Sequence, residues 1–406
     1  MRILVAEDDR ITRASLMRQL EAWKHEVAVA EDGEAAWVLF QASPYDLVIT
    51  DWEMPRLSGL EFIQRIRQAE CPEYVYVIML TSRSDKSDVV KGIEVGADDF
   101  VSKPFDREEL RVRLLAGERI VRLEHALRKQ NVQLQEAGER MRSDLEAAAQ
   151  VQRAMLPRQN IVTAQARTAW AYEPTDQLAG DALGLHLIDD RYLAAYVIDV
   201  SGHGVPAALL SVTAMHYLEP EPENASLLRD MARGSGLGSV QKPSVVAAEL
   251  NRRFSADNSD NRFLTMILGV LDTFEGRLMA ASAGHPLPII LRGQNVVPVA
   301  DVGGLPVAMF GSATYADLTV QLEPGDRVYL FSDGIVEQAS PAGRDAMFGQ
   351  ERLVDLLRAD HAKDVDQVVT HGMDALADWA GGRQFADDVS LVALEWIRPA
   401  DGSKPR

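Results

Sequence analysis

The chain has 406 residues, which is long enough for two or three domains that each bury a hydrophobic core. Its apolar content of 47% is that of a globular protein, and its net charge of −19 argues against general binding to nucleic acid or to anionic membranes. The single cysteine, Cys71, excludes an internal disulfide framework and suits a reducing cytosol.

The chain starts with MRILVAEDD, which predicts a strand running into acidic residues rather than a signal peptide. No apolar run approaches the ~20 residues that a membrane span requires. We therefore expect a cytoplasmic protein whose partners include neither nucleic acid nor a membrane.

Short apolar strands alternate with amphipathic helices over the first 120 residues. The strands are predicted at 3–6, 27–29, 46–49, 75–80 and 99–101, and the helices at 10–22, 33–42, 59–68, 86–95 and from about 106 onward. This alternation predicts an α/β domain with a doubly wound parallel sheet. Ligands of such sheets bind at the carboxyl ends of the strands.

Residues suited to phosphate chemistry stand at these strand ends: Glu7, Asp8, Asp51, Thr81 and Lys103. Three clustered carboxylates repel one another unless a cation such as Mg²⁺ lies among them. Asp51 is the natural nucleophile, because a carboxylate can form an acyl phosphate. Lys103 can neutralise one phosphoryl oxygen, and the Thr81 hydroxyl can bond another. The bond between Lys103 and Pro104 is predicted to be cis, which would direct the lysine inward.

These residues lie in or next to five stretches that carry a family resemblance: AEDD (6–9), DLVITDWEMPRLSG (46–59), MLTS (79–82), GADDF (96–100) and VSKPF (101–105). With them the first 120 residues closely resemble the response-regulator receiver domain. The resemblance implies that a histidine kinase phosphorylates Asp51, and that Thr81 and Phe100, with Lys103, form the switch that reports it. Trp52, directly after the acceptor, is a bulky variant of the pattern.

Residues 106–156 contain no proline and are rich in Arg, Glu, Gln and Leu, which predicts a continuous helix ended by Pro157. Apolar residues recur every seven positions, the spacing of a coiled-coil seam: Ile120, Leu127, Leu134, Met141, Ala148 and Met155. Gln130 and Asp144 interrupt the companion seam, and Gly117 and Gly138 each weaken the helix by about 1 kcal/mol. The pattern favours a marginal coiled coil in a homodimer. The alternative is a single amphipathic helix lying on a flanking domain.

Beyond this linker, placed at 121–157 between domains at 1–120 and 160–398, strands mix with long helices. The strands are predicted at 192–199, 263–271, 277–282, 287–291, 327–331 and 389–394, and the helices at 205–217, 243–255, 350–359 and 364–379. The mixture predicts an α+β fold in which antiparallel sheets stack between helices. The stretch 219–241, rich in Pro, Gly and charge, is predicted to be a mobile loop and a candidate flap or partner site.

Asp199 and Asp333 lie at the ends of predicted strands, Asp387 precedes one, and Asp181 is predicted to follow Gly180 on an earlier strand. Carboxylates that meet at one sheet edge can hold two Mg²⁺ or Mn²⁺ ions, which activate water and neutralise the oxygens of a phosphate ester. His285 is interpreted as a hydrogen-bonded structural residue, and His203 as a surface-loop histidine. The chain is thus predicted both to receive a phosphoryl group and to remove one.

A family resemblance of the second half is carried by these stretches: AGD (179–181), DVSGHGVPAALL (199–210), LTMILGVLD (264–272), SAGHPLP (282–288), PGDRVYLFSDGIVE (324–337), FGQERL (348–353) and ADDVSLV (386–392). With these the second half resembles the SpoIIE-like branch of the metal-dependent PPM-type serine/threonine phosphatases. The resemblance implies an α-β-β-α domain with Asp199, Asp333 and Asp387 as catalytic residues. Asp199 would bridge two metal ions, the Val200 carbonyl would complete one site, and Asp333 and Asp387 would ligate the other ion. Asp181 would support them as a ligand or next to one.

Two departures from the family pattern lie around Asp181. Ala179 replaces the first glycine of a glycine–glycine–aspartate motif, and Ala182, Leu183 and Gly184 replace the aromatic–aspartate pair that usually follows. The loss could loosen the metal surroundings or narrow the substrate entrance.

Two functions stay open. The first is a response regulator whose output domain hydrolyses phosphoserine or phosphothreonine by direct attack of water, under control of Asp51. The resemblance suggests an anti-sigma-factor antagonist as the substrate. The alternative is a degenerate phosphatase fold that serves as a phosphorylation-controlled adaptor or sequestering protein. Retention of all four aspartates favours the enzyme.

Overall fold

The computed structural model describes residues 1–69, 73–82, 86–220, 226–230, 239–256, 262–341 and 343–397. The chain divides into two compact units, Met1–Arg140 and Met141–Arg406. None of the helices in the described ranges is both long enough and apolar enough to cross a membrane.

The first unit is built on five parallel strands in the order β2-β1-β3-β4-β5. Their bounds are β1 Arg2–Ala6, β2 Glu26–Ala30, β3 Leu47–Asp51, β4 Tyr76–Thr81 and β5 Asp99–Ser102. All four neighbouring pairs run parallel. The predicted doubly wound sheet is therefore confirmed, and every strand lies within one or two residues of its predicted place.

Helices cover both faces of this sheet: α1 Arg10–Ala22, α2 Gly33–Ala42, α3 Gly59–Gln68, α4 Lys86–Val95 and α5 Arg107–Ala154. One apolar cluster joins the sheet to α1 and α5 through Leu16, Leu20 and Leu110. The other joins the opposite face to α2 and α3 through Phe40 and Phe62. The start of α3 is set locally, because Ser58 and Glu61 form a reciprocal capping box.

Helix α5 is one unbroken helix of 48 residues, as the absence of proline predicts. It ends at Ala154, three residues before Pro157. Gly117 has a packing reason, because a Cβ there would lie 2.6 Å from the Tyr76 ring. In the predicted seam, Ile120, Leu127, Leu134 and Met141 are 38% to 65% exposed rather than packed on a domain. The coiled-coil dimer stays a prediction.

The second unit contains two five-stranded antiparallel sheets, ordered β15-β12-β11-β8-β7 and β14-β13-β16-β19-β6. The strands of the first sheet are β7 Ala182–Leu187, β8 Tyr192–Val200, β11 Leu264–Asp272, β12 Arg277–Ala283 and β15 Leu318–Gln321. Those of the second are β6 Ala166–Glu173, β13 Ile289–Arg292, β14 Asn295–Val296, β16 Arg327–Phe331 and β19 Val389–Trp396. Two short ribbons pair β9 Arg229–Asp230 with β10 Ser239–Val240 and β17 Ala339–Ser340 with β18 Gly343–Met347.

Helices complete the layers of this unit: α6 Val205–Leu218, α7 Pro243–Ala256, α8 Asp333–Val336, α9 Gly349–Ala359 and α10 Val365–Ala380. One core unites both sheets with α6 and α7, as Tyr196, Leu330 and Val246 illustrate. A second core packs α9 and α10 on the other face of the second sheet. The predicted α-β-β-α order is confirmed, and the four long helices begin and end within one residue of prediction.

Strands β6 and β7 were not among the predicted strands. Their alternation is weak, because alanine and glycine fill much of ARTAWAYE and ALGLHL. They are stabilised instead by pairing over long sequence distances, β6 with β19 and β7 with β8. Of the predicted loop at 219–241, residues 221–225 and 231–238 lie outside the described residues, and β9 and β10 lie inside the predicted range.

Candidate functional site

The first acidic cluster lies at the carboxyl ends of β1 and β3. Carboxylate oxygens of Glu7, Asp8 and Asp51 all lie within 4.8 Å of one another. The Lys103 ammonium reaches into the cluster, with Nζ 2.6 Å from Glu7 Oε2 and 2.8 Å from Asp51 Oδ2. The peptide bond between Lys103 and Pro104 is cis, as predicted. The sheet thus brings the predicted acceptor, its acidic neighbours and its lysine together.

Burial and charge act against each other in this cluster. Burial and the neighbouring Asp51 charge raise the pKa of Glu7, although the Lys103 hydrogen bond opposes them. Burial lowers the pKa of Lys103, but its hydrogen bonds to Asp51 and Glu7 outweigh that effect and the pKa rises. Lys103 therefore stays charged. Three oxygen donors with excess negative charge fit Mg²⁺, and Glu7, Asp8 and Asp51 would hold it.

The predicted switch residues lie beside this cluster. Thr81 is buried at the end of β4, and Phe100 is half-buried on β5. Both line one small cavity together with Trp52. The Trp52 ring lies against Gly92 of α4, so the bulky variant is accommodated by a residue without a side chain. Their role as a phosphorylation switch stays a prediction.

The second acidic cluster begins at Asp199, the penultimate residue of β8, which pairs with Thr265 of β11. Burial raises the pKa of Asp199 to about 7, and the charges of Asp333, Asp387 and Asp388 add to the rise. Burial likewise raises the pKa of Asp333, with further contributions from Glu337 and Asp387. The predicted catalytic aspartates therefore share one electrostatic environment.

Backbone contacts hold the segments of Asp333 and Asp387 together. The Ser332 amide donates to the Ser390 carbonyl at 3.0 Å, and the Ser332 hydroxyl accepts from the Ser390 amide at 2.9 Å. Between them, a Cβ on Gly334 would lie 2.1 Å from the Asp388 carbonyl oxygen. Only glycine permits this approach, which places both aspartates at the same end of the second sheet.

Asp388, which the sequence analysis left without a role, organises the AGD segment. Its carboxylate accepts hydrogen bonds from the amides of Thr175 at 2.7 Å, Gly180 at 2.8 Å and Asp181 at 3.3 Å. A buried carboxylate that accepts three backbone bonds is a positioning group. The sequence signal for this residue is the pair of adjacent aspartates at 387–388. Only the tertiary structure decides which of the two accepts hydrogen bonds from the AGD backbone.

Asp181 is buried, although the sequence analysis predicted only that it supports the other ligands. It is only 3% exposed, and its Oδ2 accepts a hydrogen bond of 2.7 Å from the Ser390 hydroxyl. Burial raises its pKa well above the usual range, and the Asp199 charge adds to this. Asp181 is thus coupled to Asp199, and its place as a metal ligand stays a prediction.

His285 and Thr265 form a hydrogen-bonded pair next to Asp199. His285 Nε2 lies 3.0 Å from the Phe331 carbonyl, and its Nδ1 lies 2.8 Å from the Thr265 hydroxyl. Burial lowers the pKa of His285 to about 4, so the ring is neutral. Because a carbonyl only accepts, we assign the proton to Nε2, and Thr265 then donates to Nδ1. The structural interpretation of His285 agrees with these bonds.

The DVSGHG loop turns sharply after Asp199. Gly202 and Gly204 have φ values of +89° and +78°, the left-handed region that favours glycine. The glycines are therefore needed for backbone conformation. His203 is exposed, in agreement with a surface-loop histidine. The Arg262 guanidinium lies next to Gly202 and places a cation beside the loop.

The donor set of this cluster fits hard divalent cations. Asp199, Asp333, Asp387 and the Val200 carbonyl offer oxygen only. Within the described part of the chain, no ion pair joins these three aspartates to lysine or arginine. Of the described residues, only the first cluster brings three carboxylate oxygens within 4.8 Å, so these donors are spread more widely. A cation would relieve the repulsion that raises the pKa of Asp199.

The replaced residues after Asp181 have a packing explanation. Ala182, Leu183 and Gly184 form the start of β7, where Gly184 pairs directly with Tyr196. A Cβ on Gly184 would lie 2.2 Å from the Tyr196 ring, which is fully buried. Glycine at 184 therefore accommodates a large core side chain.

The end of α5 contacts the AGD segment directly. Gln152 is 5% exposed; its Nε2 donates to the Ala179 carbonyl at 2.8 Å and lies 3.1 Å from the Ser211 hydroxyl of α6. Its Oε1 accepts from the Ala179 amide at 3.2 Å. One linker side chain thus touches both the segment before Asp181 and the helix after the DVSGHG loop. The sequence offered no signal for it, because Gln152 is one of several glutamines in α5.

The raised pKa of Asp199 predicts an unusual pH dependence of stability in metal-free protein. Its folded pKa of about 7 lies above the ordinary carboxyl value, so the folded state binds the proton more tightly. Stability should rise as the pH falls from 8 to 5, with each kcal/mol raising Tm by about 2–4 °C. The measurement is thermal unfolding of the second unit in EDTA. The rise should shrink in Asp199→Asn, and a fall in Tm over this window would contradict the assignment.

The folds and the two acidic clusters define the class of protein: a receiver domain joined through a helix to a PPM-type phosphatase domain. The response regulator receiver domain model matches residues 3–115, and the stage II sporulation protein E (SpoIIE) model matches residues 189–397. The chain belongs to the stage II sporulation protein E family and carries a response-regulator receiver domain. Both families generally use divalent metal ions.

Individual relatives match one half or the other. The phosphate regulon transcriptional regulatory protein PhoB of Rhizobium meliloti (strain 1021) is 40% identical over 115 residues, 28% of this chain and 51% of PhoB. Response regulator MprA of Mycolicibacterium vanbaalenii is 40% identical over 116 residues, 29% of this chain and 49% of MprA. The chain thus spans about half the length of these curated relatives.

Among solved structures, the SiaA-PP2C domain of Pseudomonas aeruginosa matches 64% of this chain and 98% of its own length. Its TM-score is 0.53 and its sequence identity 22%, so the likeness concerns the fold.

Proposed function

We propose that the protein is a response regulator whose output domain removes phosphate from phosphoserine or phosphothreonine in a protein, under control of phosphorylation at Asp51. The observation that carries the proposal is the group of Asp199, Asp333 and Asp387. Burial raises the pKa of Asp199 to about 7, and the charges of Asp333 and Asp387 add to the rise. Such a group, which no lysine or arginine of the described residues joins in an ion pair, suits metal-assisted hydrolysis. An adaptor without activity would have no need of it.

In the proposed reaction, the oxygen of a water molecule forms a bond to phosphorus while the bond to the serine or threonine oxygen breaks. The attacking water gives up one proton, and the leaving serine or threonine oxygen takes one up. Two Mn²⁺ or Mg²⁺ ions, when bound, supply the positive charge that activates water and neutralises phosphate oxygens. Asp199, Asp333, Asp387 and the Val200 carbonyl would hold them. Asp388 and Gly334 keep the ligand segments in place, and the neutral His285 fixes Thr265 beside Asp199.

Control by the receiver domain would use helix α5. A histidine kinase, as phosphodonor, would transfer a phosphoryl group to Asp51, where Lys103 already contacts the acceptor oxygen at 2.8 Å. Phosphorylation changes the partners of Lys103 and Thr81, and we propose that α5 carries this change to Gln152. The buried contact of Gln152 with Ala179 and Ser211 is what supports this route. A homodimer through the exposed seam of α5 would align two such helices.

The substrate class is a phosphorylated protein. Within that class, an anti-sigma-factor antagonist is the substrate suggested by the SpoIIE-like resemblance.

The test is a phosphatase assay on the full chain with Mn²⁺ and p-nitrophenyl phosphate, with and without an acyl-phosphate donor. We expect Mn²⁺-dependent hydrolysis whose rate changes severalfold or more when the donor is added. The matched control, Asp51→Asn, should keep the basal rate and lose the response. An identical rate with and without the donor would refute the regulatory half of the proposal. Absence of hydrolysis under both conditions would refute the enzymatic half.

A further inference from the structure

A loop next to the phosphatase centre exposes three large apolar side chains. Leu305 is 48% exposed, Met309 38% and Phe310 54%, all within the stretch GGLPVAMFG at 303–311. Scattered apolar residues on a surface need no explanation, but three within six positions form a patch. We call residues 305–310 the apolar loop.

The apolar loop is attached to the strand that neighbours Asp199. Val307 and Leu264 exchange two backbone hydrogen bonds, of 2.8 and 3.1 Å. Leu264 pairs on its other side with Val200, and the next residue, Thr265, pairs with Asp199. Val307 is therefore two strand spacings, about 10 Å, from the β8 segment that carries Asp199 and Val200. This distance is about three residues of extended peptide, so the loop lies within reach of residues that flank a phosphate held by the aspartates.

The apolar loop is held in one conformation at a cost. Ala308 has a φ of +69°, an uncommon left-handed conformation for a residue with a side chain. The buried Asn251 side chain fastens both flanks of this residue. Its Oδ1 accepts from the Ala308 amide at 2.8 Å, and its Nδ2 donates to the Phe310 carbonyl at 3.0 Å. Strain that is retained beside a reaction centre indicates a functional use for the geometry.

Rigid presentation of apolar side chains favours binding, because little conformational entropy is lost on contact. Charge points the same way. A net charge of −19 gives no general attraction for an acidic phosphopeptide, so affinity has to come from short-range contacts.

We propose that the apolar loop is a substrate-docking surface, which binds apolar side chains that flank the phosphorylated serine or threonine of the protein substrate. The inference rests on the proposed phosphatase function and narrows its substrate class to phosphoproteins with apolar residues next to the phosphorylated position. Phe310 and Met309 are the main contacts, since they follow the strained Ala308 directly.

The experiment uses the full chain with Mn²⁺ and two synthetic phosphoserine peptides of equal length and charge. One has leucine and phenylalanine around the phosphoserine, and the other has serine and glycine. We expect kcat/KM of the wild type to be about tenfold higher for the apolar peptide, which corresponds to about 1.4 kcal/mol. The double variant Met309→Ser, Phe310→Ser should lower this ratio to about one, mainly through KM.

The matched control is Leu187→Ser. Leu187 is 44% exposed and pairs with Leu193, six residues along β8 from Asp199, so it should keep the wild-type ratio. If the double variant does not fold, Phe310→Ser alone should lower the ratio, and Phe310→Leu should preserve most of it.

Three results would overturn the docking surface: equal kcat/KM for both peptides in the wild type, an unchanged ratio in the variant, or a variant that changes only the oligomeric state in sedimentation. The last would show that a second copy of the chain covers the loop.

Fluorescence anisotropy of the labelled apolar peptide separates this inference from the proposed function. If wild type hydrolyses neither peptide nor p-nitrophenyl phosphate, the function fails. Preferential binding that depends on Phe310 would then still support the surface.

Discussion

Replacing Asp199 by asparagine should abolish Mn²⁺-dependent hydrolysis of p-nitrophenyl phosphate. We expect kcat/KM to fall by at least about a hundredfold, since even supporting groups of a metal site contribute about 10–100-fold. The physical reason is charge: the amide cannot supply the negative oxygen that would bridge two cations. The same change removes a charge whose burial is unfavourable, since the pKa of Asp199 is raised to about 7. The metal-free variant should therefore unfold at a higher temperature than wild type at pH 8.

This prediction is specific because activity should fall while the thermal stability of the metal-free protein should rise. A substitution that merely damaged the fold would lower activity and stability together. Asp190→Asn is the matched control, because Asp190 is exposed at the other end of β8 and should affect neither quantity. Mn²⁺ binding by calorimetry gives a second readout. Wild-type activity in Asp199→Asn would refute the metal-bridging assignment.

Replacing Gln152 by alanine should uncouple the phosphatase from the receiver domain. The change removes the hydrogen-bond partner of the buried Ala179 amide and carbonyl. Each unpaired group should cost about 1–3 kcal/mol of stability. Because Ala179 lies two residues before Asp181, that loss falls on the backbone next to the proposed metal ligands. We expect the basal rate to change by about tenfold or more, which corresponds to 1.4 kcal/mol. The response to the acyl-phosphate donor should disappear.

Gln150→Ala is the control for this experiment. Gln150 lies two residues earlier in the same helix and is exposed, so the same chemical change should leave rate and response as in wild type. Gln152→Glu refines the result, because glutamate can still accept from the Ala179 amide but cannot donate to its carbonyl. A full response in Gln152→Ala would show that the signal does not pass through this contact.

The periodicity of the chain was sufficient for the receiver sheet and for most of the phosphatase sheets. A strand such as YLAAYVIDV is apolar except for its penultimate residue, so both the element and the position of Asp199 can be read locally. Parallel topology then requires Glu7 and Asp51 to meet, as they do. Weakly patterned strands are different. ALGLHL becomes β7 because Gly184 fits against the ring of Tyr196, a contact that no local pattern encodes.

The residue types and their order along the chain suffice to predict two acidic clusters, because carboxylates at neighbouring strand ends meet at one edge of a sheet. The supporting contacts could not be predicted. Ser390 bonds Asp181 across 209 positions, and Gln152 bonds Ala179 across 27. Such hydrogen bonds depend on where separate elements come to lie, and serine or glutamine elsewhere in the chain looks the same in sequence. Folding of the second unit is what distinguishes Asp387, exposed toward the site, from Asp388, which holds the AGD backbone.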